Sequence, residues 1–193
     1  MAHTVLLGLA LLATACGGGT GDIDWSAPEN FVLRETSAPK GNGVELEYWS
    51  LVDVPCLQVW AAIADIEHYP DFVPGVEQVQ LVETSGNKKT AEIAQRVIGR
   101  QSNAKVEWTF KNDDRRIEFT TLSSDLTYND GHHVVEPSPD RKRCLVKSTF
   151  LVKEGQGQAQ SPAGALASGT RDAFIAAAQG VKKRAVAGVP PSG

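Results

Sequence analysis

The chain has 193 residues, 41% of them hydrophobic and 22% charged, which is the composition of one globular domain with an apolar core. Its net charge of −4 argues against a nucleic-acid partner, and basic residues cluster only at 141–143 and 182–184. No glycine-rich phosphate loop, Gly-x-Ser-x-Gly elbow or paired-cysteine metal spacing occurs, so neither cofactor nor metal is expected.

Residues 1–15 differ from the rest. Val5 to Ala15 is an uncharged apolar run, too short to span a bilayer and suited to the hydrophobic region of a secretory signal. Ala13-Thr14-Ala15-Cys16 resembles a bacterial lipobox, which implies that Cys16 is acylated, begins the mature chain and joins it to a membrane. The other readings are a plain secretory signal cleaved elsewhere, beside an incidental cysteine, and a retained anchor. Gly17 to Gly21 is flexible coil, and residues 16–42, with Pro28, Pro39 and Gly41-Asn42-Gly43, read as tether and linker, with Trp25 and Phe31 free to touch the domain. Because Gly17 is not Asp, the resemblance to sorted lipoproteins implies a place in the bacterial cell envelope and, in a cell with two membranes, on the outer membrane facing the periplasm rather than on the inner one.

Residues 53–76 are the most informative stretch. Asp53 is placed to cap a helix and Pro55 to sit in its first turn, while Cys56, Val59, Trp60, Ile63 and Ile66 recur at helical spacing. Asp65 is read as the cap of a second short helix, and Pro70, Pro74 and Gly75 end the helical segment. Val59-Trp60, Ile63, Asp65-Ile66, Tyr69-Pro70, Phe72, Pro74 and Val76 resemble the opening of the START-like helix-grip superfamily (SRPBCC), in its polyketide cyclase/dehydrase and coenzyme-Q-binding branch. The likeness extends in element order over residues 43–186. It implies an α+β helix-grip fold: a curved seven-stranded antiparallel sheet around a long C-terminal helix, with two short helices after strand one, a domain at 43–187 and a tail at 188–193.

Strands are expected at 44–52, 76–83, 90–100, 106–111, 115–122, 126–135 and 144–153, with turns at Ser85-Gly86-Asn87, Gln101-Ser102-Asn103, Asn112-Asp113-Asp114 and Ser123-Ser124-Asp125. Val106, Trp108 and Phe110 alternate with Lys105, Glu107, Thr109 and Lys111, giving a sheet with one apolar and one solvated face. In the helix-grip pattern the last strand runs antiparallel to the first. Cys144 would then lie near Cys56, so a Cys56–Cys144 disulfide is expected, with two buried thiols as the alternative.

Ser161-Pro162 can start the last helix, whose stripe of Leu166, Thr170, Phe174, Ala177, Val181 and Ala185 faces the sheet. Alanine and glycine dominate its remaining positions, so it offers little bulk to fill a concave sheet. The resemblance implies an apolar pocket there for a lipid, fatty acid, quinone or polyketide-like molecule. Candidate lining residues are Tyr48, Trp60, Phe72, Val106, Trp108, Phe110, Ile117, Phe119, Tyr128, Phe150, Leu166 and Phe174, with Tyr48, Gln95, Tyr128 and Ser148 as polar groups and Tyr69 to Val76 as gate. The plain alternative is that these aromatics are core.

No motif marks a catalytic centre. Asp65, Glu67 and Asp71 read as a cap and two solvated carboxylates; adjacent His132 and His133 point to opposite faces of a strand and cannot share a metal, and His68 is assigned no chemistry. Three functions stay open: a binding or carrier protein, a cyclase/dehydratase-like enzyme, and a structural lipoprotein with a filled core.

Overall fold

The computed structural model describes residues 23–26, 32–97, 100–154 and 163–188, with 97, 154 and 163–167 described by their main chain alone. The apolar leader, Cys16, Gly17 to Gly21, Phe31, Ser161-Pro162 and residues 189–193 lie outside the described residues. Among the described residues, no helix is long and apolar enough to cross a membrane.

The architecture is α+β, an antiparallel sheet holding a C-terminal helix against its concave face. The sheet has eight strands rather than seven: β1 Arg34–Lys40, β2 Gly43–Val52, β3 Val76–Ser85, β4 Lys88–Val97, β5 Arg100–Lys111, β6 Arg116–Ser124, β7 Thr127–Pro137 and β8 Cys144–Glu154. Their order is β1-β2-β8-β7-β6-β5-β4-β3, so β8 closes the sheet between the first hairpin and the meander. The additional strand lies within residues assigned to the linker. It escapes sequence reading because Arg34-Glu-Thr-Ser-Ala-Pro-Lys40 has no apolar alternation and all seven residues are exposed. Pro39 is tolerated because β1 is an edge strand. Gly41, at φ 60°, supplies the left-handed residue of the two-residue turn that sets Lys40 opposite Gly43.

A second correction concerns Gln101-Ser102-Asn103, which is strand and not turn. Ser102 is buried, its hydroxyl donates to Asp125 Oδ1 at 2.7 Å, and the same carboxylate accepts the Asn103 N–H at 3.0 Å. These polar side chains serve a long-range bond that a local reading takes for a turn.

Between β2 and β3 the chain forms α1 Cys56–Ala64, a 3-10 turn at Ile66–His68 and α2 Tyr69–Phe72; α3 is Ala163–Ala187. Cys56, Val59, Ala62 and Ile63 bury the inner face of α1. Asp53 does not cap it. Pro55 stands at the N-cap with no side-chain bond, and the Asp53 carboxylate pairs instead with Arg143. Asp65 likewise makes no capping bond. Its Oδ1 meets His68 Nδ1 at 2.6 Å and its Oδ2 accepts from Arg184 Nη2 at 2.7 Å, tying the end of α1 to α3. A disulfide joins Cys56 to Cys144, Cα atoms 4.7 Å apart, so the first residue of α1 is bonded to the first residue of β8.

The inner sheet face and the helices share one core, in which Leu46, Tyr48, Val59, Ile66 and Ile117 are fully buried. A smaller cluster lies on the outer face. There Trp49, Leu51 and Leu145 are covered by Ile23, Trp25 and Leu33, and the Trp25 carbonyl accepts from Arg143. Arg34 and Lys147 stack over the Trp49 ring at 4.8 and 4.7 Å. This face is therefore not wholly solvated, contrary to the simple alternation.

Candidate functional site

Strand alternation sends every second residue of the sheet into the space under α3, and that space is not filled. A cavity of about 360 Å³ remains, within the range of roughly 300–1,000 Å³ typical of small-molecule sites. Its sheet wall includes Val52, Ile93, Val106, Trp108, Phe119, Val146, Phe150 and Val152; α3 contributes Gly169, Thr170, Ala173, Phe174, Ala177, Ala178 and Val181. The lid is mostly small side chains, so the volume follows directly from the helix composition. Among lining residues Pro74, Gly75, Arg96 and Ala173 are exposed, which puts the opening between the α2–β3 loop, the end of β4 and α3.

Gly180 fixes how close that loop comes. A Cβ there would stand 1.7 Å from the Phe72 carbonyl oxygen, so α2 and α3 touch backbone to backbone. Tyr69 adds a second tie, its hydroxyl donating to the Ile63 carbonyl at 2.6 Å, and burial raises its pKa well above the usual phenol value.

Of the twelve expected lining residues, Val106, Trp108, Phe119, Phe150 and Phe174 face the cavity. Tyr48 does not: its ring stacks on Phe174 at 4.6 Å between sheet and helix, with a buried hydroxyl that has no partner. Burial, then the nearby Glu35 carboxylate, pushes that phenol up to about 12. Ile117 is solid core, Phe110 and Trp60 pack at its margin, and Phe72 sets its ring edge-on to Tyr69 beneath Arg184. Tyr128 alternates with the lining residues Thr127 and Asn129 and so belongs to the other face. Leu166 lies on α3 with its side chain outside the described residues. Of the polar candidates, Gln95 and Ser148 line the cavity and the two tyrosines do not.

Sequence reading missed His133, Asn129, Thr121, Thr127 and Ser50 on the wall. The ladder between β6 and β7 ends at Phe119 opposite Gly131; beyond it, Thr121 Oγ1 donates to the Asn129 carbonyl at 2.9 Å, and Asp130 Oδ1 accepts the Thr121 N–H at 2.9 Å. His133 lies between the Phe119 and Phe150 rings, 5.1 and 5.7 Å away, with Nδ1 2.8 Å from Ser148 Oγ. Burial, helped by His132, pushes its pKa down to about 4, so the imidazole is neutral at physiological pH. His132, on the opposite face, is also lowered, chiefly by burial. Arg96, ion-paired to Glu77 at 2.9 Å, is the one charged residue lining the cavity among the described residues. A second hollow of about 510 Å³ over β3–β6 is lined mainly by polar groups such as Gln78, Gln80, Glu92 and Lys105, and Asp125 there is already bonded to Ser102. No cluster of three or more metal-ligating side chains occurs among the described residues.

Residues 52–178, about two thirds of the chain, match the family described as polyketide cyclase / dehydrase and lipid transport. No curated protein matches the sequence. Among solved structures, the fold is similar to the Zhui aromatase/cyclase of Streptomyces sp. R1128, with TM-score 0.66 and 18% identity over 74% of this chain and 93% of that one. A START superfamily protein of Mycobacterium smegmatis aligns with TM-score 0.67 at 10% identity, covering 74% of this chain and 97% of that one. The major latex-like protein 151 of Panax ginseng aligns with TM-score 0.59 at 12% identity, covering 78% of this chain and 100% of that one. At these identities the likeness is one of fold.

Proposed function

Since the chain belongs to the polyketide cyclase/dehydrase and lipid transport family, we propose that it binds and carries a hydrophobic small molecule, such as a lipid, fatty acid, quinone or polyketide-like compound. The observation that carries this reading is the 360 Å³ cavity. Its walls are mostly apolar side chains left uncovered by protein, a surface that favours an apolar guest over water. Apolar walls reward a greasy occupant by about 25 cal/mol per Å² of surface removed from water. Tyr69 to Val76, which is α2 with the turn into β3, serves as gate. Its opening would separate Gly180 from Phe72 while the Asp65–Arg184 ion pair holds the neighbouring turn.

The cellular setting belongs to the same proposal. The chain is read as an envelope lipoprotein, acylated at Cys16 after removal of residues 1–15, on the outer membrane facing the periplasm. The Cys56–Cys144 disulfide supports an oxidising compartment. A cyclase-like reading draws on His133 and Ser148 in the cavity wall, but an imidazole held near pKa 4 is a weak base at neutral pH, which favours binding over catalysis.

Native mass spectrometry of the purified mature protein tests the proposal. Co-purified or added apolar compounds are expected to give a one-to-one adduct that organic extraction removes. A protein that takes up no apolar compound from any class offered would overturn it.

A further inference from the structure

In the cavity wall, His133 and Ser148 form a hydrogen-bonding pair. Among the described residues, His133 Nδ1 is the one partner of the Ser148 hydroxyl, at 2.8 Å. The two possible proton arrangements can be compared. If Nδ1 carried the proton and donated to Ser148, the serine O–H would point at no acceptor and the Nε2 lone pair would also be unpaired. If the serine O–H donates to Nδ1, both atoms of that bond are satisfied and only an Nε2–H remains without a partner. The second arrangement leaves fewer polar groups unmade in an apolar site and therefore dominates. No group among the described residues bonds Nε2, and the imidazole lines the cavity.

We propose that His133, with its tautomer set by Ser148, is a hydrogen-bond donor that recognises a carbonyl oxygen on an uncharged apolar guest. The inference rests on the proposed binding function and narrows its ligand class. Ser50, on the same wall, adds a hydroxyl. Ser148 is a positioning residue, since it acts on the guest through the imidazole. Deep charge is disfavoured by the same wall: among the described residues Arg96 is the only cation lining the cavity, it stands at the opening, and Glu77 already pairs with it. A carboxylate beside His133 would lie buried without a counter-ion. A hydrocarbon would leave the Nε2–H without an acceptor.

Three probes of equal chain length separate the cases: decyl methyl ketone, dodecane and dodecanoic acid, each titrated by displacement of Nile red at neutral pH. The ketone is expected to bind about tenfold tighter than dodecane, the effect of one buried donor gaining its acceptor, and tighter than the acid. In His133→Phe the ketone-to-dodecane ratio should fall to near one. In Ser148→Ala it should fall part of the way, and Ser148→Thr should restore it. Infrared spectroscopy on the unmutated protein gives a reading that does not depend on variant folding: the bound ketone's carbonyl stretch should lie below its position in hydrocarbon solvent. Equal binding of all three probes, preference for the acid, or an unshifted carbonyl band overturns this inference while leaving the binding function standing. Failure of every probe to displace Nile red overturns the binding function itself.

Discussion

Removing the Cys56–Cys144 bond, by Cys56→Ser with Cys144→Ser or by reductant, perturbs the protein through its unfolded state. The two cysteines are 88 residues apart in sequence, so the bond closes a loop over nearly half the chain. On the loop-entropy model a closure of this length restrains the unfolded chain by about 4.6 kcal/mol. That is a third or more of the total stability of an ordinary domain, roughly 5–15 kcal/mol, and corresponds to a drop in Tm of roughly 9–18 °C for a domain of this size. The folded state loses little besides, because Cys56 and Cys144 stay buried between α1 and β8 beside Val52. Urea unfolding followed by tryptophan fluorescence, with and without reductant, measures the difference directly. Equal midpoints for oxidised and reduced protein, or two titratable thiols in the folded protein before reduction, would refute the reasoning.

The remaining predictions concern the cavity and its lid. Between about pH 6.5 and 4 the unfolded chain takes up a proton that buried His133 refuses until about pH 4, so stability should fall on acidification through this window. The loss should approach about 3 kcal/mol below it, and His133→Phe should flatten the pH profile of urea midpoints. Gly180→Ala should destabilise by about 1–3 kcal/mol, although glycine to alanine inside a helix ordinarily stabilises by about 1 kcal/mol; the opposite sign in a urea titration would show that α2 can move aside. Ala177→Leu, placed on the lid, should raise stability by about 1–2 kcal/mol while weakening Nile red binding at least tenfold, and unchanged binding would mean the probe sits elsewhere.

The sequence was readable where periodicity carries the information. Val106, Trp108, Phe119 and Phe150 alternate so cleanly that their inward direction needs no coordinates, and the alanine-rich helix announces a lid with little bulk. It was unreadable where a side chain's role depends on a distant partner. Asp53 and Asp65 both stand where a cap belongs, yet Arg143 and Arg184 claim their carboxylates. His132 and His133 are indistinguishable as a doublet. Only the register, which sets His133 opposite Ser148 and His132 opposite Thr149, turns one inward and the other out. Edge strand β1 fails for a different reason: it joins the sheet by its main-chain ladder to β2, and all seven of its residues are exposed, so no hydrophobic pattern reports it.

The packing of Ile23 and Trp25 on the outer face also decides which way the molecule can be held. Ile23 and Trp25 seat on the outer face near Leu145, at the start of β8, whereas the cavity opens inside the sheet by Pro74, Arg96 and Ala173. Strands β3 and β4, beside that opening, lie at the opposite edge of the sheet from β1 and β2. A grip on the leading end of the chain, whether a surface, a bead or a fused protein, therefore takes hold of the back of the vessel and leaves its neck pointing outward.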